Sequence, residues 1–291
     1  MRFVVGLLTV VSASGVAAAQ TPDTTPHPGR IWLALGSLFL PGLGQYAQGA
    51  PLAGGAFSGV ALGGLLLYSG SDSSLIEGGA LPLDNETRKA FLGAQVFQTA
   101  GELSAYDSFR RTTRTLQPFG RYRFLTKHEP VERLLTAPFD PTFLKRWTTW
   151  VGLAYTGTVA LIDSHDPNRM KRSLTHQDVL FGGMVSLNAG IGEEALFRGW
   201  LYPMMYESFH QRFWLANGVQ AGIFGTLHPD AGWFAVMIAG WAFYQGWLTR
   251  HNAWSVRESI FQHFWYDVVA TLVEMGDSRQ VTLSFSLPVA F

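Results

Sequence analysis

Two adjacent carboxylates in an otherwise apolar stretch constrain this chain more than any other feature. In GIGEEALFRGWLYP, Gly190 to Pro203, the residues Glu193, Glu194 and Arg198 are the only charged side chains between Asp178 and Glu207. A charge deep in an apolar setting is costly, so it faces a bundle interior and meets a partner there. A lone lipid-facing helix is thereby excluded, and neighbouring elements must supply polar groups. The last third of the chain offers two more such sets: His228 in IFGTLHPD, and His263 with Asp267 in FQHFWYD. Each set falls on a different expected helix or helix end. They meet only if an all-α bundle builds one interior site.

The chain is 47% hydrophobic and 14% charged, against about 25% charged in ordinary soluble domains. That predicts a polytopic transmembrane helical bundle with polar connections. Formal net charge is zero, which leaves no bulk electrostatic case for nucleic acid. The lack of cysteine excludes disulfides, thiolate metal sites and a cysteine nucleophile. Ten Trp and 21 Phe suit several membrane interfaces, where aromatic rings settle at headgroup level.

The opening MRFVVGLLTVVSASGVAAAQTPD has one Arg, an apolar run and Ala17-Ala18-Ala19. This is the pattern of a secretory signal peptide cut before Gln20, so residues 1–19 are expected to be a signal peptide and 20–30 a Pro-rich linker. No charged residue occurs from Ile31 to Ser71, a length sufficient for two spans of about 20 residues. Pro and Gly in LPGLGQYAQGAP, Leu40 to Pro51, break it into an expected helical hairpin. That loop resembles the P-G-x-G-Q turn of small bacterial two-helix membrane modules. Lys89 to Arg111 reads either as a span with a polar inner face or as an amphipathic surface helix. Its Glu102 and Asp107 are expected at a rim or an adjoining loop, without chemistry.

Residues 31–112 thus make an N-terminal membrane hairpin with an accessory helix, and 113–144 a basic connecting segment. Nine Lys or Arg between Arg110 and Arg146 put that connection on the cytoplasmic side by the positive-inside rule. Residues 145–276 hold an expected span over Trp147–Ile162 and four apolar segments near 179–206, 213–227, 231–249 and 258–275. Strict alternation puts the basic turn Arg169–Arg172 outside, against the same rule. The tail, residues 277–291, alternates like a strand, and one such segment makes no barrel.

Successive helical residues point about 100° apart. Glu194 and Arg198, at i and i+4, share a face and can pair. Glu193 is left as the free carboxyl, a competent general base for water. His263 and Asp267 are also i, i+4 and hence side by side. Singly, each set has a plain structural reading, as a buried ion pair that fixes packing or a hydrogen-bonded core histidine. Asn188, Asn217, Gln220 and Gln245 are expected to be interhelical hydrogen-bond glue.

Together the sets fit an ordered pattern: EEALFR as E-E-x-x-x-R, FGTLH (Phe224 to His228) as F-x-x-x-H, and HFWYD (His263 to Asp267) as H-x-x-x-N/D. Over residues 145–275 this resembles the CPBP family of intramembrane glutamic proteases. That family includes the CAAX prenyl endopeptidases and the bacteriocin-processing and immunity-associated proteins of bacteria. The resemblance implies that Glu193 activates the attacking water with His228 as its partner, and that Glu194 and Arg198 form a supporting pair. It further implies that His263 and position 267 stabilise the oxyanion, the largest electrostatic contribution in many acyl transfers, with Phe224 packed beside the His228 turn. Asp267 departs from the Asn variant, because an ionised carboxylate only accepts hydrogen bonds. It must carry a proton or orient His263 instead.

The expected activity is therefore metal-independent hydrolysis of peptide bonds in membrane-associated proteins or peptides, with no cofactor. Membrane lipid and a protein or peptide substrate are the expected partners, and a bacterial inner membrane the expected location. Two alternatives use the same residues. One is a zinc protease with Glu193, His228 and His263 as ligands, although no H-E-x-x-H helix is present. The other is a non-catalytic scaffold or immunity-type protein.

Overall fold

The computed structural model describes residues 28–71, 83–164, 172–228, 232 and 234–276. All regular structure among them is helical, in agreement with the expected all-α class. The expected signal peptide, residues 20–27 of the linker, Arg169 to Lys171 of the basic turn and the strand-like tail lie outside the described residues.

The N-terminal hairpin is lopsided. A 3-10 turn, Pro28–Trp32, leads into α1, Leu33–Phe39. A second short helix, α2 (Leu43–Ala47), precedes α3, Pro51–Ser69. By length and composition α3 is long and apolar enough to cross a membrane, whereas Gly29–Phe39 is too short. Two full spans were expected here. Pro41 and Gly42 end the first arm early, since Gly42 adopts φ 99° and a Cβ there would lie 2.3 Å from the Gly54 carbonyl oxygen. The turn folds back because its polar groups have partners elsewhere: Gly42 N–H donates to Ser104 Oγ at 2.8 Å, and buried Gln45 donates to the Ser104 carbonyl at 2.9 Å.

Those partners sit on α4, Asn85–Leu116, which is 32 residues long and exceeds the expected 89–111 at both ends. Asp84 caps it by accepting from Thr87 N–H at 2.7 Å. Residues from Arg88 to Leu116 are buried around its whole circumference, because α4 packs on α1 and α3 on one side and on the site-bearing helices on the other. The amphipathic surface helix, one of the two expected readings, does not describe it. Glycines permit the contact: a Cβ at Gly101 would lie 2.2 Å from the Leu38 carbonyl oxygen, and one at Gly93 2.5 Å from Tyr68 N.

The basic connection is ordered by buried anchors. It carries α5, Val131–Thr136, whose Val131, Leu134 and Leu135 join a core cluster. Glu129 accepts from Val256 N–H at 3.0 Å and Ser255 Oγ at 2.5 Å, so it caps the last helix. Asp140 bonds Arg257 at 2.7 Å and holds the following 3-10 turn, Pro141–Lys145, through Thr142. The Asp140 carboxyl lies below its ordinary titration range, chiefly through the Thr142 hydroxyl hydrogen bond, with Arg257 adding to it.

Helix α6, Trp147–Ser164, follows, and then α7, His176–Glu194. Thr175 and Asp178 form a reciprocal capping box at the start of α7. Asp178 also pairs with Arg88 at 2.5 Å and Arg172 at 3.0 Å. A π-helix, Ala195–Leu201, continues α7 and passes into α8, Tyr202–Ser208. The remaining helices are α9 (Phe213–Thr226), α10 (Phe234–His251) and α11 (Arg257–Met275). The expected apolar segments correspond to these elements. Three of the four expected interhelical amides act as anticipated: Asn217 donates to the Phe243 carbonyl at 2.9 Å, Gln220 to that of Ala242 at 3.1 Å, and Gln245 to Gln262 at 2.9 Å.

Candidate active site

The helix that carries Glu193 and Glu194 is held close on two sides by glycines. A Cβ at Gly190 would lie 2.9 Å from the backbone nitrogen of Phe264, so α11 runs against α7 there. On the α4 side, a Cβ at Gly192 would lie 1.9 Å from Glu102 Oε2, and one at Gly199 would lie 2.5 Å from the Tyr106 ring. The helix also widens from α to π register directly after Glu194, a local departure common at functional sites.

Glu194 and Arg198 form the expected pair. Arg198 Nη1 donates to Glu194 Oε1 at 3.0 Å, and both side chains are fully buried. The guanidinium also lies over aromatic faces, 4.3 Å from the Phe224 ring centroid and 5.8 Å from that of Trp241. Glu194 Oε1 accepts a second hydrogen bond from His263 Nδ1 at 2.9 Å. An ionised carboxylate with a fixed cation accepts only, so Nδ1 carries the proton.

The other ring nitrogen faces two more carboxyls. His263 Nε2 is 3.4 Å from Asp267 Oδ2 and 3.7 Å from Glu193 Oε2. A bare nitrogen facing an ionised carboxylate is repulsive, so a proton lies on the ring or on the acid. Glu193 and Glu194 thus converge on one imidazole. The 100° rule separates them about the helix axis, yet His263 enters from α11 between the two directions. Glu193 Oε2 is buried without a hydrogen-bond partner.

His228 lies at the end of α9, half-buried, with Nδ1 2.8 Å from the Phe224 carbonyl oxygen. A carbonyl only accepts, so Nδ1 is the protonated nitrogen and Nε2 of the neutral ring is left as an acceptor. Its ring lies 4.9 Å from that of Phe224, whose other neighbours include His263 at 6.1 Å. Buried Phe224 therefore packs near both histidines. The carboxylates that approach an imidazole within 4.0 Å among the described residues do so at His263.

Glu102 is not at a rim. It is 1% exposed on α4, accepts from Gln98 Nε2 at 2.8 Å, and lies within electrostatic range of Glu193 and His263. The sequence signal was its register with Gly192, visible only once α4 and α7 are known to touch. Asp107 is also tied inward, to Gln45 at 3.0 Å and Arg111 at 2.6 Å. Trp241, 4.9 Å from His263 and nearly perpendicular to it, is a further wall of the site that sequence reasoning missed. Among the described residues, no three His, Asp or Glu side chains are arranged to enclose a cation.

Residues 175–269 match the family model described as type II CAAX prenyl endopeptidase Rce1-like. The matched segment begins at the Thr175 cap and contains Glu193, Glu194, Arg198, His228, His263 and Asp267. Glu102 lies outside it. The resemblance to the CPBP and CAAX-protease-like family thus rests on the stretch that carries the site. No curated protein and no solved structure matches the chain.

Proposed function

We propose that this chain is an intramembrane endopeptidase that cleaves membrane-associated protein or peptide substrates with water activated by Glu193 and His228. The observation that carries the reading is the buried Glu193 oxygen without a partner, facing an imidazole already oriented by Glu194. A buried acceptor normally finds a donor, and water bound there would be both satisfied and activated. In the proposed reaction Glu193 takes the water proton as hydroxide attacks the carbonyl carbon, with Nε2 of His228 as the second acceptor. His263 supplies the donor for the developing oxyanion through Nε2, the nitrogen that Asp267 also approaches. Collapse of the tetrahedral intermediate breaks the C–N bond, and the departing amine takes the proton back from Glu193. Glu194 and Arg198 keep the His263 ring in place, and Phe224 packs beside the His228 turn.

The membrane setting is supported by the low charge content, the apolar helix α3 and the matched family. We place the protein as a polytopic component of a bacterial inner membrane, with residues 145–276 as the protease region.

The test maps protein N-termini in membranes from cells making the native chain, a Glu193→Gln variant at equal expression, or neither. New termini confined to the native chain are expected and would name substrates. Identical termini in all three would move the assignment to a scaffold. A chelator arm leaves the native pattern unchanged, whereas its loss would make the enzyme a metalloprotease.

A further inference from the structure

The site contains one carboxyl more than the proposed reaction uses. Four acids gather around two cations: Glu102, Glu193, Glu194 and Asp267 against Arg198 and His263. Glu194 is committed to Arg198 and to His263 Nδ1. Glu102 and Asp267 have the His263 ring as their nearby cation among the site's described groups, while Glu193 lies within electrostatic range of both His263 and Arg198. The opposite flank of α4 brings none, because Leu33–Phe39 and Pro51–Ser69 contain no charged residue. Along α4 itself the neighbour that touches the Glu102 carboxyl is neutral Gln98.

Position makes Glu102 specific to Glu193. Its Oε2 lies where a Cβ on Gly192 would be, 1.9 Å from that point, with Thr99 Oγ1 3.3 Å from it. The carboxyl therefore rests on the α7 backbone one residue before the proposed base. Two buried carboxylates near one imidazole cannot both ionise without a large desolvation and repulsion cost.

We infer that Glu102 is a positioning residue of this site, carrying the proton that it and Glu193 cannot both lose, so that Glu193 is free to accept from water. The inference rests on the endopeptidase reading for its consequence, not for its geometry. With the proton on Glu102, the site carries a neutral acid behind an ionised base. When Glu193 takes the water proton, Glu102 sets how much negative charge it does so against. Glu102 reaches the reacting atoms only through Glu193, and it comes from outside the family-matched segment.

The test uses the full chain in detergent or liposomes and reads infrared absorption of protonated carboxyl groups at neutral pH. A carboxylic-acid C=O band is expected in the native chain. It should vanish in Glu102→Gln and shift in Glu193→Gln. A band unchanged by Glu102→Gln would overturn the inference, whatever the activity shows. Gly192→Ala is the second variant: its Cβ displaces chiefly the end of the Glu102 side chain and presses lightly on Thr99, in a helix that favours Ala, and should shift the same band. Where cleavage is measurable, Glu102→Gln should lower kcat about 10-fold or more with KM little changed and move the pH profile, while Glu102→Asp restores part of the rate. An unchanged kcat and pH profile would overturn the kinetic role. Loss of cleavage in Glu193→Gln alone bears on the endopeptidase reading, so the two failures are distinguishable.

Discussion

Replacing Arg198 by Met isolates what the buried ion pair does. Both partners are fully buried, and Glu194 Oε1 accepts from Arg198 at 3.0 Å and from His263 at 2.9 Å. Removing the guanidinium leaves a carboxylate with no full counter-charge in a dry interior, which destabilises a protein by about 3–5 kcal/mol. The lost stacking on Phe224 at 4.3 Å adds up to about 2 kcal/mol when desolvated. The pair itself is not ideal, because Arg198 Nε and Nη2 are buried without partners. The double variant Glu194→Gln/Arg198→Met should therefore recover most of the loss and lie within about 2 kcal/mol of native, since pairs of this kind are often replaceable together. The amide oxygen that Glu194→Gln introduces still accepts from His263 Nδ1. Reversible unfolding of the full chain in micelles, read for native, both singles and the double, gives the coupling energy directly. The reasoning fails if Arg198→Met costs less than about 1 kcal/mol, or if the double is less stable than the sum of the singles.

Two further outcomes follow from the same geometry. Asp267→Asn replaces an acceptor by a group that can donate, 3.4 Å from His263 Nε2, so cleavage should be retained or raised up to about 10-fold, and its pH dependence simplified; a loss of 100-fold or more would show that the carboxyl of Asp267 is itself required. At the connection, the Asp140 carboxyl sits below its ordinary range because Thr142 and then Arg257 favour its ionised form. The unfolded chain thus binds that proton more readily, so the stabilisation is present above the ordinary carboxylate value and is lost as pH falls through the depressed one. Melting temperature against pH should show a shallower acid decline for Asp140→Asn than for the native chain, and equal slopes would contradict the assignment.

The site's composition was legible in the sequence, while its wiring was not. Scarcity of charge made Glu193, Glu194 and Arg198 conspicuous, and i, i+4 spacing found both the Glu194–Arg198 pair and the His263–Asp267 approach. Local periodicity reports on one helix at a time. It could not show that His263 takes both Glu193 and Glu194, since that depends on where α11 crosses α7. It likewise could not separate a buried α4 from a surface one, because a helix covered on all sides by other helices has no single apolar face to detect. Glu102 was misplaced for that reason. The first hairpin arm failed as a span because composition counts apolar residues but not the bend that Pro41 and Gly42 introduce.

The placement of α4 bears most directly on how the site works. Glu102 and Tyr106 are one turn apart on α4, and they rest on Gly192 and Gly199, which bracket Glu193, Glu194 and Arg198. The carboxylates and the guanidinium of that stretch reach His263 and Phe224. Tyr106 is itself pinned, its hydroxyl donating to the Glu129 carbonyl at 2.7 Å, while the Glu129 carboxylate caps α11. One chain of contacts thus runs from α4 through Glu129 to the helix that carries His263, and another from α4 through the two glycines to the helix that carries Glu193. Both His263 and Glu193 are registered against the same N-terminal helix.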